Sequence, residues 1–280
     1  MRRIAIVLLS LLSFGAAARC QESFIGAKVF VPGEELRYKV KWTFFRLGTV
    51  TLKAVRDSCC HGAGEIKLVM TVESNPDLSF VWIREFNESV VDENTSYSKR
   101  FHARHRNGET YLEVWHEFDP NLRRATWRMV DKNTGALLRS DTLSDATSYV
   151  EGPSLFFFTR CISHRTGTTV VPTLVEGKIA PTDLSFEAGT DNLEIDAFRY
   201  PVRTRKFTGV AHWQGGTEAG LSGAFTGWIS DDDAAVPVVA EVKVILGSIR
   251  LELESWTRPG WIPPNAEPLQ ASSTLDPSTR

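Results

Sequence analysis

The chain has 280 residues, of which 42% are hydrophobic and 24% charged, with a formal charge of −2 at pH 7. That composition belongs to a folded protein, and its length suits one large β domain or two small domains whose core needs no staples. The near-even charge balance excludes nucleic acid and anionic membrane as the main electrostatic partner.

Residues 1–20 begin "MRR", continue through "IAIVLLSLLSFG" and end near Ala16, Ala17 and Ala18. This is the charged, apolar and small-residue order of a secretory signal, so the chain is expected to be exported to the periplasm. The apolar run is too short for a membrane span, and no later segment approaches the roughly 20 apolar residues one requires. Cys20 raises the prospect of lipidation and outer-membrane tethering, but Arg19 stands where a small residue is needed. Cleavage after Ala18 or Cys20 is the alternative; the latter removes Arg2, Arg3 and Arg19 and takes the formal charge from −2 to −5.

Period two then dominates. In "LRYKVKW", Leu36, Tyr38, Val40 and Trp42 alternate with Arg37, Lys39 and Lys41, which describes a half-buried strand. "EIKLVMTV" repeats the pattern after the polar turn "RDSCCHGAG". In an oxidising compartment Cys161 is expected to pair with Cys59 or Cys60, leaving a spare thiol. "CCH" at residues 59–61 is too incomplete a ligand set for a metal. "NPDLSFVWIREF" reads either as a helical turn or as a loop leading into a strand. "HARH" reads as strand, which sends His102 and His105 to opposite faces. "ETYLEVWHEF" and "RRATWRMVD" are further strands, with His116, Glu117 and Asp119 expected in solvent at a strand end.

"GPSLFFFTRCI" is the clearest helix: Pro153 suits a first turn, and Leu155, Phe158 and Ile162 share one face, so a short helix laid across the sheet is expected. "TTVVPTLV", "NLEIDAFRY" and "VRTRKFTGVAHW" return to strand. In "FTGWISDDDAAVPVVAEV" two alternating segments flank Asp231, Asp232 and Asp233. Three adjacent carboxylates without alternating oxygen ligands describe a hairpin loop rather than a metal site, and capping of the loop's own amides is the expected role. Pro237 suits a strand start, and Gly247–Ser248 is expected to make the next two-residue turn. Residues 258–280, with five prolines, are expected to form a flexible tail behind a single domain over 24–257.

No chemistry-bearing motif stands out. "GLSGAF" around Ser222 lacks a nucleophile elbow, and phosphate-binding, dinucleotide and zincin patterns are absent. No catalytic residue, metal ligand or cofactor is assigned. Eight tryptophans and sixteen phenylalanines exceed what a thin sheet buries easily, which makes Trp42, Phe45, Trp82, Phe157 and Trp228 candidates to line an apolar groove. The alternative is that these rings fill the core.

The two ends of the chain carry a resemblance. Phe30, Gly33, Glu34, Leu36, Tyr38, Val40 and Trp42, then Trp228, Ser230, Asp231, Asp232, Pro237, Val238, Leu246, Gly247 and Ser248, resemble the signature positions of the exported bacterial family catalogued as domain of unknown function 3108. The resemblance covers roughly residues 24–256. It implies an antiparallel β fold in the periplasm, and it implies no catalytic residues. Gly33, Glu34, Trp42, Asp231, Asp232, Pro237 and Gly247 are then structural positions of the motif.

The expected architecture is all-β: a large curved antiparallel sheet or unclosed barrel with one short helix. The expected function is a non-catalytic envelope protein holding an apolar or amphipathic ligand, such as a lipid, on a concave sheet face. An envelope scaffold acting on a protein partner, through a sheet edge or the tail, is the alternative; a carboxylate-dependent hydrolase is the remote one.

Overall fold

The computed structural model describes residues 26–56, 60, 64–78, 82–213, 223–244 and 247–265. The signal segment, Cys20, Cys59, Phe80, Ser222 and residues 266–280 lie outside the described residues.

A one-turn helix α1 (Gly26–Val29) is followed by β1 (Glu35–Trp42), β2 (Phe45–Val55), β3 (Glu65–Ser74), β4 (Ile83–Asp92), β5 (Ser98–Asn107), β6 (Thr110–Asp119), β7 (Arg124–Asp131) and β8 (Leu137–Leu143). Helix α2 (Gly152–Cys161) leads into β9 (Gly167–Val175), β10 (Lys178–Phe186), β11 (Asp191–Leu193), β12 (Val202–Ala211), β13 (Gly223–Ser230), β14 (Pro237–Val244) and β15 (Gly247–Thr257). All the ladders between these strands are antiparallel, in the order β8-β7-β6-β5-β4-β3-β2-β1-β15-β14-β13-β12-β10-β9, with β11 beside β12. The expected large, curved, unclosed antiparallel sheet is what forms.

The sheet curls until its ends meet without a β8–β9 ladder. Val150, beyond β8, pairs parallel with Thr173 of β9, its amide donating to Pro172 O and its carbonyl accepting from Leu174 N, both at 2.9 Å. Ala125, Leu143, Leu174 and Ile179 join Ala146 and Tyr149 in one apolar cluster across the seam. Gly177, at positive φ in the β9–β10 turn, lies so close to Trp127 that a Cβ would sit 3.3 Å from the ring.

Helix α2 lies inside this curl rather than across an open sheet. Phe157 and Cys161 pack with Leu36, Leu52, Leu68 and Leu253, whereas Phe158 and Ile162 pack with Val171, Leu184, Phe186 and Phe207. The expected face of Leu155, Phe158 and Ile162 exists, but so does a second apolar face. A helix that is apolar on both sides belongs in an interior. Pro153 opens the helix, and Glu151 N–H donates to Ser154 Oγ at 2.8 Å in a capping box.

Four expectations are corrected. Cys60 and Cys161 are both free thiols; Cys161 faces the core beside Ser96 Oγ at 3.6 Å, away from solvent, and burial pushes its thiol up to about 12. "NLEIDAFRY" is strand only at Asn192 and Leu193, the end of β11. Gly247 and Ser248 pair with Val244 and Lys243, so they begin a strand instead of making the turn; residues 245–246 lie outside the described residues. Residues 258–265 are not a tail: Arg258 and Trp261 bond into the body, and Asn265 pairs with Val202.

Candidate functional site

Antiparallel pairing puts the start of β1, the ends of β2 and β13 and the start of β14 at one end of the barrel, together with α2. At this capped end Glu34 and Arg160 are fully buried. Arg160 Nη1 and Nη2 donate to the two Glu34 oxygens at 3.0 and 2.8 Å, and Arg258 Nη1 donates to Oε1 at 2.8 Å. Arg160 also donates to Ala235 O and Ala234 O. One carboxylate therefore ties β1, the interior helix, the β13–β14 loop and the segment after β15. Gly33, at φ 89°, turns the chain into β1, and Tyr38 Oη donates to Pro237 O at 3.0 Å.

The three aspartates stand on the same junction with three different tasks. Asp231 accepts from Arg203 Nε at 2.8 Å. Asp232 Oδ1 accepts from the amides of Ala234 and Ala235 and from Ser230 Oγ, while Oδ2 accepts from Trp261 Nε1. Asp233 pairs with Lys28. Asp232 is thus the amide cap that the turn chemistry calls for, and every carboxylate is engaged in holding the loop. No group of three or more His, Cys, Asp or Glu among the described residues could hold a metal.

The opposite end is open. On β1, β3 and β15 the inward rows start buried beside α2 at Leu36, Tyr38, Ile66, Leu68 and Leu253, then become half-exposed at Val40, Trp42, Met70, Val72, Leu251 and Ile249. These residues share the enclosed face by register. The helix fills one end only. At the rim Phe44, Phe45 and Trp82 are 95, 59 and 61% exposed. On the facing wall β4 and β5 contribute a polar patch: Asn87, Glu85 and His105 lie on the inward face, with His105 Nδ1 3.6 Å from Glu85 Oε1, beside the apolar residues Ala103 and Val114.

Deeper on that wall His116 is buried against the Phe101 ring at 4.8 Å, opposite Trp127 in the ladder. Neither ring nitrogen has a hydrogen-bond partner among the described residues. Burial, aided by the nearby His105, lowers its pKa to about 3. An unfolded histidine binds a proton near 6.5, so this site withdraws stability as pH falls from about 6.5 toward 3. His116→Leu should therefore gain stability over the parent across that window, increasingly toward the acid end, as read from urea midpoints.

A second depression, about 540 Å³, lies on the outer face of β3–β8. Trp115 is flanked there by His102, stacked at 5.3 Å, and Arg128, 4.3 Å from the ring centroid. His102 bonds Glu113 at 2.8 Å, so the trough's aromatic platform is occupied by its own neighbours.

Of the groove candidates, Trp42, Phe45 and Trp82 gather at the open end. Phe157 does not line it: it is buried in α2, stacked on Phe30 at 5.7 Å. Trp228 is on the outer side, bonded to Asp191 at 2.9 Å, in the apolar cluster that also takes in Phe198 and Tyr200. His116 is in the core rather than in solvent; its parity with Val114 on the strand was the available signal. His102 and His105 do fall on opposite faces. Gly247, at φ 105°, starts β15 beside Trp42.

The model of a family described as "Protein of unknown function (DUF3108)" matches residues 37–254. No curated protein matches the sequence. A crystal structure of a β-barrel-like protein of domain of unknown function DUF1849 from Brucella abortus is similar, with a TM-score of 0.52 at 9% identity, over 81% of this chain and 97% of that one. That likeness concerns the fold alone. No helix among the described residues is long and apolar enough to cross a membrane.

Proposed function

We infer that this chain, which belongs to the DUF3108 family of proteins of unknown function, is a non-catalytic, exported envelope protein whose open barrel end holds an amphipathic ligand with an apolar body, such as a lipid. The observation that carries this reading is the change in burial along single inward rows. Leu36, Ile66 and Leu253 are sealed by α2, whereas Val40, Val72 and Leu251, further along those strands, face the same enclosed side half-exposed. Apolar surface left unfilled inside a concave wall is a binding feature, not a packing one. The Glu85–His105 pair on the facing wall supplies a place for a polar head, and the aromatic rim suits the entry of an apolar chain.

Lipid extraction followed by mass spectrometry should recover a ligand from protein purified from the envelope, and delipidated protein should bind a fluorescent fatty acid. Leu251→Arg, placed on the open half of the apolar wall, should lower that binding at least tenfold while leaving the circular dichroism spectrum unchanged. A parent chain that yields no lipid and takes up no acyl probe overturns the reading.

A further inference from the structure

The two edges of the sheet are unlike. The β9 edge is blunted: Pro172 has no N–H to offer, and Val150 already pairs alongside it. The β8 edge carries neither protection. Its residues are exposed from Leu137 to Thr142, Leu137 and Leu138 by 59 and 49%, and among the described residues no strand lies beyond it. Unprotected edges are templates for another strand. The irregularity in the β7–β8 ladder falls next to Leu138, leaving Arg139–Leu143 in regular register.

The side chains say which strand fits. Arg139 and Asp141 share one face and neither forms an ion pair with another described residue; Arg139 rests 4.9 Å from the Trp127 ring, and Asp141 accepts only from Thr142 N. We propose that the β8 edge pairs antiparallel with β8 of a second copy of this chain, on a two-fold axis at Ser140. A two-fold axis through an antiparallel pair must pass beside a residue facing its own copy. Centred on Ser140, Arg139 of each chain faces the partner's Asp141, giving two cross-strand ion pairs. Centred on Arg139 or on Asp141, like charges meet, which is unfavourable for directly opposed residues. The neighbouring registers are therefore selected against, and the one at Ser140 joins two curled sheets into a continuous one.

Light scattering with size-exclusion chromatography tests this on the full mature chain. The parent should be a dimer at about 100 µM. Arg139→Asp and Asp141→Arg should each weaken self-association at least tenfold, because like charges then face each other across the axis. An equimolar mixture of the two variants should dimerise again, since every acidic side chain of one then faces a basic one of the other. The restored association also shows that both variants are folded. A parent that stays monomeric, single variants that dimerise like the parent, or a mixture that remains monomeric each overturns the proposal.

Discussion

Glu34→Gln is expected to cost about 3–5 kcal/mol, the typical penalty for stranding a buried charge by removing its partner. The substitution preserves shape and leaves the Arg160 and Arg258 guanidiniums facing each other around a neutral amide. Arg160 is fully buried and cannot turn to water. For a chain of this size the loss corresponds to a fall in melting temperature on the order of 10 °C, with a matching drop in urea midpoint at unchanged slope. Glu34→Leu combined with Arg160→Met should recover part of the loss, because an apolar pair of similar volume avoids the desolvation penalty. A Glu34→Gln protein within about 0.5 kcal/mol of the parent would show that the junction does not hold the helix in the barrel.

This junction also shows what a single sequence can and cannot display. The strands were legible because Leu36, Tyr38 and Val40, or Ile66, Leu68 and Met70, alternate with polar residues on local rules alone. The aspartate loop was legible for the same reason, since Asp232 bonds amides two and three residues away. Glu34 and Arg160 are 126 positions apart, and nothing local marks them as partners. The helix was found but not its place: three successive phenylalanines mask the fact that Phe157 and Phe158 serve opposite walls. Gly247 and Ser248 have the composition of turn residues, yet they pair with Val244 and Lys243 at the start of β15, a register that the local sequence does not display. The open end was half legible. Trp42 and Phe45 lie at one hairpin, but the Glu85–His105 pair and the buried His116 belong to strands that only long-range register brings opposite.

Between pH 4.5 and 7, Glu151→Gln should gain on the parent chain by about 3 kcal/mol, with no further change in the difference outside that window. Glu151 is buried in the interior at the start of α2, where Oε1 accepts from Ser89 Oγ at 2.7 Å and Ser98 Oγ at 2.8 Å. Burial raises its pKa to about 7, against the lowering pull of the hydroxyls of Ser89, Ser98 and Ser154. The folded protein therefore keeps a proton that the unfolded chain releases near 4.5. Its stabilising contribution is complete below pH 4.5 and is lost as pH rises to about 7. A glutamine amide offers the same acceptor oxygen to Ser89 and Ser98 and never ionises, so the variant escapes the loss. His116 runs the other way, giving up stability as pH falls from about 6.5. In the parent the two slopes oppose each other over the shared window, and only comparison of single variants separates them. Urea unfolding at pH 4.5, 6 and 8 makes the measurement. Equal stability differences at all three values would mean that the serines hold Glu151 ionised throughout, and that the barrel carries a buried charge at the head of its interior helix.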